Sequence, residues 1–297
     1  MDAQCVTVVG GANTDICGAP AGCLVRHDSN PGRVTLRHGG VGRNIACDLA
    51  LLGLKVRFLG AIGEDALGLS VRDGLRAYGV DCSLSRIVKG ERSSVYLYVT
   101  DERGEMDVGV ADMDVTAQIT PAWLRGRLDA LNASDAVLLD GNLSAETIEW
   151  LAAHVRVPLY ADPVSTAKAP RLLRALDRLT AIKPNLLEAR ALTGRGTPED
   201  CAEALLAAGV KRVYISLGKD GLLAAEGEER ILLPRIAAEL VNTNGAGDAA
   251  TAAVIWAELH GLGLAGAAAA AVRAGTLTVA SEETNSPLLK PEALLGE

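Results

Sequence analysis

Val241-Asn242-Thr243-Asn244-Gly245-Ala246-Gly247-Asp248 leads straight into the apolar stretch AATAAVIWAELHG of residues 249–261. A glycine-rich turn that opens an apolar helix is suited to hold an anion. Glycines let backbone amides approach closely, and the first helical turn adds unsatisfied N–H groups and the positive end of the dipole. Asp248 stands at the mouth of that cradle, where two roles are open. It could cap the helix, as most aspartates in such places do, or accept a proton from a hydroxyl that attacks a phosphoryl group. A carboxylate beside a phosphate cradle repels the phosphate, which favours the second role.

On the N-terminal side the chain alternates strand and helix. Cys5–Gly10 is a continuous β-branched run ending in glycine, and Ala46–Gly53 repeats apolar residues at helical spacing before another glycine. Val56–Ile62, Ala136–Asp140, Pro158–Ala161, Ala181–Lys183 and Arg212–Leu217 read as short buried strands. Helical stretches over Leu67–Tyr78, Ala145–His154, Leu186–Thr193 and Glu199–Ala208 separate them. This order predicts an α/β core with a mostly parallel sheet and helices on both faces, and ligands at the carboxyl ends of the strands. Residues 13–38 and 92–110 break the rhythm. The second stretch alternates around Asp101–Gly104, with Val95, Leu97 and Val99 on one face, and reads as a hairpin. The two excursions are either plain edge hairpins or a small β-sheet lid.

A length of 297 residues allows one or two domains. With 49% hydrophobic and 22% charged residues the chain can bury a large aliphatic core, which excludes disorder and collagen-like structure. A formal charge of −8 and 3% aromatics argue against a nucleic-acid polymer as partner. Cys5, Cys17, Cys23, Cys47, Cys82 and Cys201 lack a CxxC pair, and the four histidines lie far from finger spacing, so reduced thiols are expected. There is no signal-peptide pattern, and the uncharged run from Leu259 to Val272 is shorter than the ~20 residues that cross a bilayer. A cytoplasmic protein without membrane partners is expected.

Four further loops carry candidate residues. Gly39-Gly40-Val41-Gly42-Arg43-Asn44 runs into the early helix, where Asn44 could donate to and accept from vicinal hydroxyls. It fits neither the P-loop pattern nor GxGxxG after the first strand. Asn13 and Asp15, two apart after the first strand, share a face or form an Asx-type turn. Asn185 and Glu188, three apart at a helix start, either hold a hydrated magnesium or serve as cap and first-turn acid. Ser216-Leu217-Gly218-Lys219-Asp220-Gly221 precedes a hairpin, and either covers nucleotide phosphates or only joins strands.

Taken together in order, GGVGRNIACDLALLG, KPNLLE, SLGKDG and NTNGAGDAATAAVI resemble the ribokinase-like (PfkB) family of sugar and nucleoside kinases over nearly the whole chain. The resemblance implies a three-layer α/β/α core over residues 1–12, 39–91 and 114–297, and a β lid over 13–38 and 92–113 that often serves in dimerisation. It implies ATP and Mg2+ as cofactors and phosphorylation of a hydroxymethyl group. Residue by residue, Asp248 resembles the catalytic base and the amides of Gly245, Ala246 and Gly247 the anion hole. Asn13, Asp15, Gly40 and Asn44 resemble the sugar contacts. Ser216, Gly218, Gly221 and Thr243 resemble the ATP loops, with Asn185 and Glu188 as the magnesium-water motif. Asn242 stands where many relatives have an aspartate associated with a monovalent cation, which puts potassium activation in doubt.

Asp28-Ser29-Asn30-Pro31-Gly32, Gly104-Glu105-Met106, Ala111-Asp112-Met113-Asp114 and Asp162-Pro163-Val164-Ser165 with Lys168 resemble one nucleoside-specific subgroup. A C-linked uracil, with two N–H donors and two carbonyls, is the base this implies, to be read by Ser29, Asn30, Asp112 or Lys168. Those four residues could equally stabilise turns. A homodimer through the lid is expected. Ribokinase or another nucleoside kinase is the alternative within the family, and a non-catalytic nucleoside sensor the alternative outside it. Against the sensor, the GAGD nest is intact, and the chain starts too near its first strand to leave room for a DNA-binding module before it.

Overall fold

The computed structural model describes residues 4–296; residues 1–3 and 297, at the ends of the expected core segments, lie outside them. In chain order the strands are β1 (Cys5–Val9), β2 (Asn13–Pro20), β3 (Gly32–Gly39), β4 (Lys55–Leu59), β5 (Ala61–Gly63), β6 (Arg86–Val88), β7 (Val95–Thr100), β8 (Met106–Asp112), β9 (Ala136–Asp140), β10 (Leu159–Asp162), β11 (Ala181–Ile182), β12 (Arg212–Ser216), β13 (Leu222–Glu226) and β14 (Glu229–Leu233). The helices are α1 (Val41–Leu51), α2 (Ala66–Ala77), α3 (Pro121–Arg125), α4 (Leu128–Asn132), α5 (Ala145–His154), α6 (Leu186–Thr193), α7 (Pro198–Ala207), α8 (Ala246–Leu259), α9 (Gly263–Val279) and α10 (Pro291–Leu295).

Eight strands form the central sheet in the order β14-β13-β12-β11-β10-β9-β1-β4, parallel from β4 to β12 and antiparallel at the last two. One core layer packs α1, α2, α8, α9 and α10 on one face, and a second packs α3 to α7 on the other. A strand buried on both faces needs a continuous apolar run, and β9 is buried at all five positions. α8 is buried at every residue from Ala249 to Ala257, which explains its apolar run on all sides. Its C-terminal end is tied to the sheet. Glu258 accepts hydrogen bonds from the Tyr160 and Tyr214 hydroxyls at 2.9 and 2.8 Å, and Arg212 lies 3.2 Å away. Helix starts follow their side-chain caps: Asp65, Ser144 and Thr197 each accept the amide three residues on.

The run Val56–Ile62, expected as one strand, divides at Gly60 into β4 of the main sheet and β5, which pairs with β6 in a separate two-stranded sheet. A Cβ at Gly60 would lie 2.3 Å from the Phe58 ring, so the backbone bends where only glycine fits. The early helix starts at Val41, before the apolar periodicity that begins at Ala46. The two irregular stretches supply β2, β3, β7 and β8, a four-stranded sheet of order β3-β2-β7-β8. Its cross-strand rows Leu36–Ile16–Leu97–Val110 and Val34–Gly18–Val99–Val108 share one face. Asp15 and Tyr96, on the other face by the two-residue period of a strand, line a cavity.

All six cysteines are unpaired. Among the described residues no helix is long and apolar enough to cross a membrane.

Candidate active site

Strand order reverses around β1: the chain moves out to β4 and returns to β9 on the other side. A crevice opens at such a switch point, at the carboxyl ends of the strands. β9 and β10 end there in Asp140 and Asp162, both buried, and Lys183 follows β11. Each is the charged end of an apolar strand, a pattern visible in LLD, LYAD and AIK, and none had been singled out for a role.

Asp140 clamps the early glycine loops. Its carboxylate accepts from the amides of Gly11 and Gly42 and from both the amide and side chain of Asn142, all at 2.9 Å. A Cβ at Gly10 or Gly42 would come within 2.5 or 2.9 Å of its Oδ2. At Gly40, φ is +99° and a Cβ would meet Ala12 Cα and the Gly11 carbonyl at 2.7 Å. These glycines bring the loop after β1 against the start of α1 and create one wall of a cavity of about 250 Å³. Asn13, Asp15, Gly40, Asn44, Lys168 and Gly245 line it, together with Met113 and Val164 from the subgroup segments and with Tyr96, Thr116, Asn142 and Thr284, which the sequence reading passed over. Asn13 donates to Asp15 at 2.5 Å, and burial holds the Asp15 carboxyl above the usual range. Lys168 donates to Asn142 Oδ1 at 2.6 Å.

A larger cavity of about 610 Å³ adjoins it, lined by Asn185, Glu188, Ser216, Gly218, Gly221, Thr243, Ala246, Gly247 and Asp248. Its size suits a nucleotide. Gly245 caps α8 in the left-handed region at φ 82°, without a side-chain cap bond, so the first amides of the helix are free for an anion. A Cβ at Gly247 would meet only Lys183 Nζ, at 3.8 Å, which leaves the cradle open. Gly221 is held differently: at φ +100° a Cβ would lie 1.9 Å from the Leu233 carbonyl, so this loop needs glycine to pack under β14.

Asp248 is not the cap. Its Oδ2 accepts from Asn44 Nδ2 at 2.8 Å, which joins the two cavities at one carboxylate. Burial first, then the charge of Asp162, push its carboxyl up to about 7, against the hydrogen bond from Asn44 and the charge of Lys183. That value sits where a general base works best. Asp162 is fixed by the Val164 amide and the Thr251 hydroxyl, at 2.9 and 2.8 Å, with Lys183 Nζ 3.8 Å away.

Asn185 and Glu188 form a reciprocal capping box at the start of α6, with bonds of 2.9 and 2.8 Å. The cap reading is therefore the one observed, and it uses one Glu188 oxygen, while Glu188 also lines the larger cavity. Burial raises the Glu188 carboxyl above its ordinary range, first by desolvation and then through Asp162, so a cation there would be stabilised. Among the described residues no group of three or more His, Cys, Asp or Glu is placed to ligate a metal directly.

Three of the singled-out residues stand outside both cavities. Ser29 and Asn30 lie in the β2–β3 turn, where Asn30 bonds Val25 N and O at 2.8 Å and so stabilises its own loop. Asp112 ends β8 with Arg92 3.9 Å away, one residue before the cavity-lining Met113.

The pfkB family carbohydrate kinase model matches residues 3–291. Pseudouridine kinase of Escherichia coli K12 is 34% identical over 290 residues, covering 95% of this chain and 92% of the relative. Among solved structures, a carbohydrate kinase from Agrobacterium tumefaciens superposes with a TM-score of 0.88 at 31% identity, covering 99% and 96% of the two chains. Arabidopsis thaliana ribokinase, complexed with ribose and ATP, superposes with a TM-score of 0.86 at 25% identity, covering 99% and 98%. The chain therefore belongs to the pfkB family of carbohydrate kinases and has the ribokinase-like α/β fold. It is a sugar or nucleoside kinase, a phosphotransferase with an alcohol acceptor.

Proposed function

We propose that the protein transfers the γ-phosphoryl group of ATP to the 5′-hydroxyl of pseudouridine. The observation that carries this reading is the meeting of the two cavities at Asp248, together with 34% identity to a pseudouridine kinase over nearly both chains. The acceptor's ribose lies against Asn13, Asp15, Gly40 and Asn44. Its base points toward Lys168, whose ammonium donates to a carbonyl. The phosphates lie over the amides of Ala246 and Gly247, with Ser216, Gly218, Gly221 and Thr243 around the nucleotide.

Asp248 takes the hydroxyl proton as the oxygen bonds the γ-phosphorus. The bond from the γ-phosphorus to its bridging oxygen breaks, and its electron pair leaves with ADP. Positioning and the amide cradle supply most of the barrier reduction. Asn185 and Glu188 would hold Mg2+ through water, where it neutralises phosphate charge. Closure of the small sheet as a lid, over residues 13–38 and 92–113, brings the β2–β3 turn with Ser29 and Asn30 over the base, and Asp112 beside it. The lid's outward rows, with Val34, Leu36, Val108 and Val110 all more than half exposed, suit a second copy of the chain.

The test is a screen of ATP consumption with pseudouridine, uridine, cytidine, adenosine, ribose and fructose phosphates. Pseudouridine is expected to be turned over fastest. Preference for ribose would assign the protein as a ribokinase, and no consumption with any acceptor would favour a sensor.

A further inference from the structure

Arg43 is a buried cation that the phosphoryl-transfer scheme leaves without a role. It is 4% exposed, lies 5.6 Å over the Tyr78 ring, and donates to Asn44 Oδ1 at 3.0 Å and to Asn285 Oδ1. Asn285 in turn donates to the Asn44 carbonyl at 3.0 Å and to Asp48 Oδ1 at 2.8 Å. Asp48 is fully buried, and among the described residues its other oxygen has no partner, nor has Arg43 Nε. Residues from α1 and from the segment after α9 thus meet behind the site, where burial pushes the Asp48 carboxyl well above its ordinary range and the Arg43 guanidinium is held by amide oxygens. A buried cation is costly unless it is paired or hydrogen-bonded, and here the bonds that hold it fix two side-chain amides.

An arginine can only donate hydrogen bonds, so the amides of both Asn44 and Asn285 must turn their carbonyls toward it. The Asn44 NH2 group then has one orientation, toward Asp248 Oδ2 at 2.8 Å. No bond from the described residues reaches Asp248 Oδ1. We propose that Arg43, bridged to Asp48 by Asn285, is a positioning residue that locks the Asn44 amide and so leaves Asp248 Oδ1 as the oxygen that takes the substrate proton. Asn44 therefore presents a donor to the acceptor cavity, where the sequence alone allowed it to act as donor and acceptor alike.

The inference rests on Asp248 as the base. Around that carboxylate stand Asn44 from α1, Asp140 and Asp162 from the ends of β9 and β10, and Lys183 after β11. Only the Asn44 bond depends on Arg43. A hydrogen bond to the ionised form lowers a carboxyl's pKa, so loosening Asn44 raises it.

The test compares Arg43→Met, Asn285→Leu and Asn44→Ala, using whichever acceptor the wild type phosphorylates. Each is expected to lower kcat by about ten- to a hundredfold, as for a reacting group moved by a fraction of an ångström, with the acceptor KM within about threefold for Arg43→Met and Asn285→Leu and raised further for Asn44→Ala, which also removes a ribose contact. The acid limb of the kcat profile is expected to move upward in all three. Arg43→Met added to Asn44→Ala is expected to cost nothing more. An unmoved limb, or losses that multiply in the double variant, would overturn the relay and leave a structural role. If Arg43→Met does not fold, Arg43→Lys keeps the charge without the fork and is expected to share the shifted limb; a wild-type limb there overturns the proposal equally. The 13C titration of the Asp248 carboxyl, assigned by its loss in Asp248→Asn, reads the same shift without any acceptor. Normal turnover in Asp248→Asn would defeat the base itself, whereas an unmoved titration in the Arg43 and Asn285 variants defeats only the relay.

Discussion

The two glycine clusters of this chain look alike as text and do opposite things. At Gly10 and Gly42 the missing Cβ is replaced by a buried protein carboxylate, Asp140, which fills the space and binds the loop amides. At Gly247 the space stays open, with only Lys183 Nζ at 3.8 Å. The early cluster is an internal anion site already satisfied by the protein's own carboxylate. The late cluster is left open by the protein, and in the proposed function it takes the phosphates. A glycine motif thus marks where backbone amides converge, and what they converge on is decided by distant strands.

The largest expected effect lies at the carboxylate between the two clusters. Asp248→Asn is expected to lower kcat by about a thousandfold or more while acceptor binding stays within a few fold, since a base contributes about 10²–10⁴. Near-normal turnover would break the assignment. The protonated carboxyl cannot accept a proton, so wild-type kcat/KM is expected to fall as the pH drops below about 7. A profile flat to pH 5 would count against this, 5 being about two units below that value.

The comparison itself is sharpened by one substitution in each cluster. Gly247→Ala is expected to raise the ATP KM about tenfold, one lost amide contact being worth roughly 1.4 kcal/mol, with unchanged Tm. Gly42→Ala is expected to do the reverse: a destabilisation of about 2 kcal/mol from overpacking against Asp140, seen as a lower Tm. Equal Tm losses in both would erase the distinction. Glu188→Ala is expected to raise the magnesium requirement several-fold and to shorten α6 stability only slightly, because Asn185 still caps the helix; an unchanged magnesium titration would remove it from the metal site. The smallest effect is expected at Ser29→Ala, with about a threefold higher nucleoside KM from one lost hydrogen bond. No change would place the β2–β3 turn outside the closed site as well.

Strand and helix order was legible because β1, β9 and α8 are buried on all sides and their apolar runs say so directly. Asn13, Asp15, Asn44 and Asp248 were legible as polar residues beside glycine turns. Asp140, Asp162 and Lys183 were given no role, although each is the charged end of an apolar strand, because a single charge in a strand carries no period. Arg43 and Asn285 were beyond reading: 242 positions separate them, and nothing local couples them.

What the sequence by itself determined is the alternation of elements, the cap and first-turn acid at Asn185 and Glu188, and the glycine turn that opens α8. These follow from local periodicity and backbone freedom, which act over a few residues. Only the tertiary structure decided that Asp248 bonds Asn44 in place of its own helix end, that Asp140 fills the early glycine cluster, and that Ser29 and Asn30 stand away from the cavity. Each of these depends on which distant strand ends are brought within hydrogen-bond reach, and that is set by the strand order and the burial of charge at its switch point.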